Sequence, residues 1–195
     1  RYLLKQEGKG GFVINNGTIT VNNGGYAILA GGSVVNNGYI QANKGEVVLA
    51  AGRTMTMDFA GDGLMNFAVD EKLASRIAGP DGADLTSAVL NAGRIQANGG
   101  RVLLSARAAA NILDSVVNNT GVIEAKSYTE RNGQIVLTGG DEGVVAMSGT
   151  LDVSGSDPGA KGGEVKVLGE YVGLFDQATI NASGDAGGGT VLVGG

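Results

Sequence analysis

Glu124 and Asp152 are the side chains whose type and spacing come closest to a chemical site. Each takes the fourth place of a five-residue run, Gly121-Val122-Ile123-Glu124-Ala125 and Gly149-Thr150-Leu151-Asp152-Val153. If the runs are neighbouring strands, the two carboxylates repel each other, which raises one pKa or requires a cation between them. Equivalent places in the other runs complete what we call the polar ladder: Thr20, Gln41, Gln96, Glu124, Asp152 and Asn181.

The polar ladder could dock a sugar or a cation, or it could be the solvated face of a sheet. We favour the solvated face, because a Glu with an Asp, without a third ligand or aromatic neighbours, is a weak Ca²⁺ signal. The sequence therefore predicts neither a metal site nor a cofactor.

Enzymatic chemistry is not expected either. The 195 residues include no Cys and no His, which removes thiolate ligands and the commonest general base. Nothing in the spacing of the remaining acids brings them together for sugar cleavage; they are Asp58, Asp62, Asp70, Glu71, Asp141 and Glu142. The run 184–189 resembles a phosphate or calcium loop but lacks the other residues of either motif.

The elements that position these side chains belong to a repeat. Six copies of Gly-x-Ile-x-Ala, each followed by a turn and Gly-x-Val-x-Leu, begin at 17, 38, 93, 121, 149 and 178. The alternation is typical of short strands, and a unit of this size must stack on its neighbours to bury its apolar face. We therefore predict an all-β fold, a right-handed single-stranded parallel β-helix of seven or eight rungs, roughly 35 Å long.

The repeat also predicts which residues face inward. One inward row comprises Ile19, Ile40, Ile95, Ile123, Leu151 and Ile180, and another comprises Leu29, Leu49, Leu104, Leu137, Val167 and Val193. Asn15-Asn16, Asn36-Asn37, Asn91 and Asn118-Asn119 precede the copies. Asn suits tight corners because it tolerates a left-handed backbone.

The 55-residue spacing between the second and third copies predicts about two rungs plus one excursion over 57–88. Strands over 54–59 and 64–69 would flank the Gly61-Asp62-Gly63 turn. Residues 70–77 would then form one or two helical turns that end at Gly79-Pro80.

An apolar row is predicted to point outward. We call it the apolar stripe, and it comprises Ile28, Val48, Leu103 and Val136; Lys166 breaks the row, and Leu192 continues it after the break. Such a stripe requires a cover, either the 57–88 excursion or a partner chain. Own-chain cover is the more common solution, and the break at Lys166 indicates that it ends before the last rungs.

Composition excludes further classes of function. A net charge of −5 without a basic run makes nucleic acid a poor partner. No apolar run approaches the roughly 20 residues of a transmembrane span. Both ends interrupt the pattern, so we expect one β-helix segment, 1–195, of a longer protein.

Several runs resemble filamentous-haemagglutinin-type exoproteins of Gram-negative bacteria: 35–42, 47–52, 61–64, 116–125 and 183–191. The resemblance implies a right-handed parallel β-helix at the cell surface, exported by an outer-membrane transporter of the two-partner type. The family's secretion domain carries Asn-Pro-Asn motifs, but the only prolines here are Pro80 and Pro158. We therefore place the chain at or just after the end of the secretion domain.

The predicted function is a rigid segment of a secreted adhesin or filament that performs no chemistry. Host or microbial glycans or proteins would be bound by other regions. The alternatives are a polysaccharide-binding β-helix module, a carbohydrate-active enzyme as the less favoured option, and a surface filament that polymerises end to end through homotypic contacts.

Overall fold

The computed structural model describes residues 1–8, 10–59 and 65–195, and its core is a parallel β-helix of six rungs. The described residues form strands and turns and contain no helix. The predicted all-β parallel solenoid is therefore confirmed. Each rung contributes one strand to each of three six-stranded parallel sheets, which we number in chain order.

The first sheet contains β2 (Phe12–Asn15), β5 (Ser33–Asn36), β10 (Ser87–Asn91), β13 (Ser115–Asn119), β16 (Val144–Met147) and β19 (Tyr171–Leu174). The second sheet contains β3 (Thr18–Thr20), β6 (Tyr39–Gln41), β11 (Arg94–Gln96), β14 (Val122–Glu124), β17 (Thr150–Asp152) and β20 (Thr179–Asn181). The third sheet contains β4 (Tyr26–Gly31), β7 (Glu46–Ala51), β12 (Arg101–Ala106), β15 (Gln134–Thr138), β18 (Glu164–Leu168) and β21 (Thr190–Gly194).

Six rungs span about 24 Å at the usual strand spacing, so the predicted seven or eight rungs were wrong. The error lies in the 55-residue spacing. There, β5 pairs directly with β10, with Val34 opposite Val89, so this stretch adds no extra rung. The repeat also predicted only two strands per rung. It did not predict the third strand of each rung, and these strands form the first sheet.

The predicted inward rows are stacked in register. Ile40, Ile95 and Ile123 lie directly above one another and are fully buried. The leucine row continues the same core on the third sheet, from Leu49 through Leu104. Burial of aliphatic side chains at about 25 cal/mol per Å² is therefore the main source of stability.

A column of carboxamides runs through the corner between the first and second sheets. We call it the amide ladder, and it comprises Asn15, Asn36, Asn91 and Asn119. Each Nδ2 donates to the Oδ1 of the next Asn at 2.8 Å. At the end of the ladder, Asn119 donates to the carbonyl of Gly121. Burial of these amides is tolerated because each finds a partner.

Close approach requires the glycine before each of the four inner strands of the second sheet, β6, β11, β14 and β17, whereas Ala178 precedes β20. A Cβ built on Gly93 would overlap the carbonyl oxygen of Gly38, and one on Gly121 would overlap that of Gly93. The main chains of successive corners are therefore in direct contact. A second column lies between the second and third sheets, and we call it the glycine row: Gly25, Gly45, Gly100, Gly133, Gly163 and Gly189. The same contact between successive rungs occurs at Gly45, Gly100, Gly163 and Gly189, whereas a Cβ on Gly133 would overlap the carbonyl of Ala125 in its own rung.

A three-stranded antiparallel sheet lies outside the rungs. It consists of β1 (Tyr2–Lys5), β8 (Thr54–Phe59) and β9 (Met65–Glu71), in the order β1-β8-β9. The chain leaves the third sheet after Ala51, earlier than the predicted 57, and rejoins the rungs at Ser87. The predicted turn Gly61-Asp62-Gly63 lies outside the described residues.

The helical turns predicted for 70–77 are wrong. Strand β9 continues to Glu71, and Leu73 then forms a parallel bridge with Ala108. Leu73 and Ile77 are buried, so the segment buries its apolar residues against the rungs without forming a helix.

Candidate interaction surfaces

The polar ladder lies on the outer face of the second sheet, in the predicted phase. Gln41 pairs with Gln96, Gln96 with Glu124, and Glu124 with Asp152. These side chains are half-buried, whereas Ile95 and Ile123 beside them are fully buried. The assignment of inward and outward residues on this sheet therefore agrees with the sequence.

A lysine of the chain supplies the cation that Glu124 and Asp152 require. The Nζ of Lys126 lies 3.8 Å from Glu124 Oε1 and 3.7 Å from Asp152 Oδ2. Arg94 approaches Glu124 from the neighbouring rung, with Nη2 2.6 Å from Oε2. That hydrogen bond raises the pKa of Arg94. The sequence pattern did not predict this contact of Lys126, because Lys126 lies two residues past the strand position that defines the polar ladder.

The rest of the polar ladder bonds to itself and to a corner. The Tyr39 hydroxyl lies 3.1 Å from Gln41 Oε1 and 3.3 Å from Gln96 Oε1. Gln96 Nε2 donates to Asn43 Oδ1 at 3.3 Å, and Asn43 also accepts the main-chain N–H of Asn98. Within the described part of the chain, no group of three or more acidic side chains could hold a metal ion. A sugar or cation site on this ladder stays a prediction, and these contacts favour the solvated face.

The chain itself covers the apolar stripe. Val48 and Leu103 are 0% and 4% exposed, because Met55, Met65 and Val69 of β8 and β9 pack on them. Ile28 and Val136 flank this cluster and are half-buried. Leu192, two rungs beyond Val136, is 48% exposed. The stripe is therefore mainly an internal contact between the β-helix and its outer sheet, and partner binding there stays a prediction.

An aromatic group extends this contact at its edge. Phe59 lies edge-on to Tyr26 at 5.6 Å and to Tyr2 at 6.0 Å between ring centroids. Tyr26 belongs to the third sheet, so the rings join the outer sheet to the first rung. Tyr2 and Phe59 remain exposed.

A buried ion pair was not anticipated from the sequence. Glu46 is 4% exposed, and its Oε1 lies 3.2 Å from Arg101 Nη1 on the next rung. Burial raises the pKa of Glu46, and the charge of Arg101 opposes that rise. Arg101 Nε is also buried and has no hydrogen-bond partner among the described residues. Only the third-sheet register, Arg101 opposite Glu46, reveals the pair.

Two clefts lie along the corner between the second and third sheets, and the first of them adjoins this pair. The first, of about 260 Å³, is lined by Lys44, Glu46, Arg101 and Arg131 among others. The second, of about 500 Å³, is lined by Lys161 and Glu164 together with glycines of the glycine row. Asn132 and Gln134 line both clefts, which therefore lie next to each other. We call the combined feature the corner groove.

The sixth rung carries exposed apolar side chains: Leu174, Phe175, Val191 and Val193. The residues that pair with three of them one rung above, Met147, Val165 and Val167, are fully buried.

No helix in the described residues has the length and hydropathy that crossing a bilayer requires.

Comparison with known proteins relates the chain to an exported protein. No protein-family model matches it, and no curated protein matches it. Among solved structures, the HMW1 secretion domain from Haemophilus influenzae matches with a TM-score of 0.72 and 31% sequence identity. The match covers 94% of this chain and 43% of that chain, so this chain spans less than half of the matched one. The predicted resemblance to two-partner-secretion exoproteins, at or just after the secretion domain, is confirmed.

Proposed function

We propose that this chain is a rigid β-helical segment of a secreted bacterial surface adhesin or filament, and that it performs no chemistry. The observation that supports this proposal is the likeness to the HMW1 secretion domain over 94% of the chain, at 31% identity. Continuous apolar rows and the amide ladder make the segment stiff, because adjacent rungs share both core and main-chain hydrogen bonds.

An outer-membrane transporter of the two-partner type is the proposed partner during export. The final location is the outer surface of a Gram-negative cell or the medium. Host or microbial glycans and proteins would be engaged by other regions of the longer protein, while this segment holds them away from the cell. The core of stacked rungs supports that spacer role, since few main-chain groups are left open to proteases.

Export of the full parent protein tests the proposal. The parent would be produced in cells with and without its transporter, and its accessibility on intact cells would be measured by added protease. We expect surface exposure only with the transporter, and loss of exposure when residues 1–195 are deleted. Equal exposure without the transporter, or export of the deleted protein at the normal level, would contradict the proposal.

End-to-end polymerisation through homotypic contacts is a second candidate, which the exposed apolar side chains of the sixth rung favour. A second copy could continue the rungs by covering Leu174, Phe175 and Val193. Sedimentation of the isolated chain over a range of concentrations tests this. Growth of rod-like species that Val193→Lys abolishes is expected, and a monomer at every concentration would overturn it.

A further inference from the structure

The corner groove is the remaining feature that neither the core nor the export role explains. It follows the glycine row from the first rung, where Tyr26 lines it, to the sixth, a length of about 24 Å at the usual rung spacing. Glycines form its floor because a side chain at most positions of the glycine row would overlap the main chain of the adjacent rung. Its shape therefore suits a narrow linear polymer rather than a compact ligand.

Cationic side chains along the groove lack acidic partners. Lys44, Arg131 and Lys161 are exposed and form no ion pair with another described residue. The carboxylates of the groove are already engaged. Glu46 pairs with Arg101, whereas Glu164 accepts from Gln134 and lies 3.0 Å from Lys166 Nζ. On a chain of net charge −5, the groove thus carries three cations without an ion-pair partner, while Glu130 and Asp157 line a neighbouring cleft with Lys44 and Arg131.

The other lining groups are suited to hydroxyl-rich ligands. Asn132 and Gln134 offer amide donors and acceptors where the two clefts lie next to each other. Tyr26 lines the first cleft, and Tyr128 lies beside it with Lys44 Nζ 5.8 Å from its ring centroid.

We propose that the corner groove binds an extended acidic polysaccharide, in which carboxylate or sulfate groups meet Lys44, Arg131 and Lys161 and the sugar hydroxyls meet Asn132 and Gln134. Nucleic acid fits less well. Its dense phosphate charge would meet three separated cations on an acidic chain, and the groove lacks a regular series of aromatic stacking platforms. This site is independent of the export role.

Equilibrium binding to defined polymers tests the site. The isolated chain would be titrated with polygalacturonate, dextran sulfate, neutral dextran and single-stranded DNA, each in low salt and in about 0.5 M NaCl. Polygalacturonate and dextran sulfate separate carboxylate from sulfate recognition. We expect saturable binding of at least one of them, weakened by salt, and no binding of neutral dextran or DNA.

Variants assign the binding to the groove. We expect Lys44→Gln with Arg131→Gln to weaken binding at least tenfold, and Asn132→Glu to weaken it further. Lys5→Gln with Arg53→Gln removes the same charge at exposed sites outside the groove and should change affinity less than twofold. Circular dichroism would show that every variant keeps the fold. Absence of binding to both acidic polymers, equal binding of DNA, or equal losses in the two double variants would overturn the proposal.

Discussion

The carboxamide of Asn36 donates to the oxygen of Asn91 at 2.8 Å, although 55 residues separate the two along the chain. Both side chains are fully buried. Their contact holds together the two rungs between which the outer sheet emerges. The amide ladder therefore keeps the corner in register at the place where the chain itself is interrupted.

Asn91→Ala should lower the free energy of unfolding by roughly 2–5 kcal/mol, because it leaves a donor on Asn36 and an acceptor on Asn119 buried without partners. Urea unfolding followed by circular dichroism measures the loss. Asn37→Ala is the matched control, since its bond to Asn16 is exposed and should contribute less than about 0.5 kcal/mol. Similar losses in the two variants would show that the ladder adds nothing beyond an ordinary surface contact.

Ile95→Asp should unfold the chain or destabilise it by more than about 4 kcal/mol, because it places an unpaired carboxylate in a fully buried row. Gln96→Asp, on the outer face of the same strand, should cost about 1 kcal/mol or less. Thermal melts of both variants measure the difference. If Gln96→Asp proved as damaging as Ile95→Asp, the strand phase assigned here would be incorrect.

Gly93→Ala should destabilise by roughly 2–4 kcal/mol, since its Cβ would overlap main-chain atoms of the rung above and only a shift of the corner can relieve the overlap. Gly11→Ala is the control, because its Cβ would meet open space and its backbone is not left-handed. The control should stay within about 0.5 kcal/mol of the parent. Chemical unfolding compares the pair, and an unaffected Gly93→Ala would mean that the corners are looser than the structure shows.

Glu46 should make the chain less stable as pH rises. Its folded pKa lies above the unfolded value of about 4.5, so the folded state holds the proton more tightly and loses that advantage as pH climbs through the folded pKa. Glu46→Gln should remove this decline. The melting temperatures of parent and variant, compared from about pH 4 to about pH 8, measure it.

The pKa of Glu164 is lowered by hydrogen bonds from Gln134 and Lys166, so its contribution has the opposite sign and is lost as pH falls. Taking the difference between parent and Glu46→Gln at each pH isolates the Glu46 effect. A difference that does not vary with pH would show that the Glu46 carboxyl titrates alike in the folded and unfolded chain.

The sequence predicted the second and third sheets because their strands alternate strictly and open with glycine. Strand β5 was not predicted because apolar and polar residues do not alternate along it. Val34 and Val35 are both buried, and the sequence Val-Val-Asn is more typical of a corner than of a strand. The rung number failed for a related reason. The number of residues between two repeats does not distinguish an additional rung from an outward hairpin. Only the pairing of β5 with β10 shows that the intervening residues form no additional rung.

Fewer features of the surfaces could be predicted from the sequence. The positions of the polar ladder and the apolar stripe follow from a period of two. Their partners do not, because Lys126 reaches the ladder from a turn and Met65 reaches the stripe from the outer sheet. The corner groove is assembled from turns of several rungs, such as those of Lys44 and Arg131, and no local pattern brings these residues together.

The outer sheet shows that the chain can leave the β-helix after β7 and return at β10 while the two rungs on either side remain hydrogen-bonded to each other, β5 to β10 and β7 to β12. This junction is a natural grafting position. A foreign loop or small domain inserted within the outer sheet would be displayed at a fixed height along the rod. The same tolerance gives evolution a site at which new recognition elements can be added or exchanged without redesign of the scaffold.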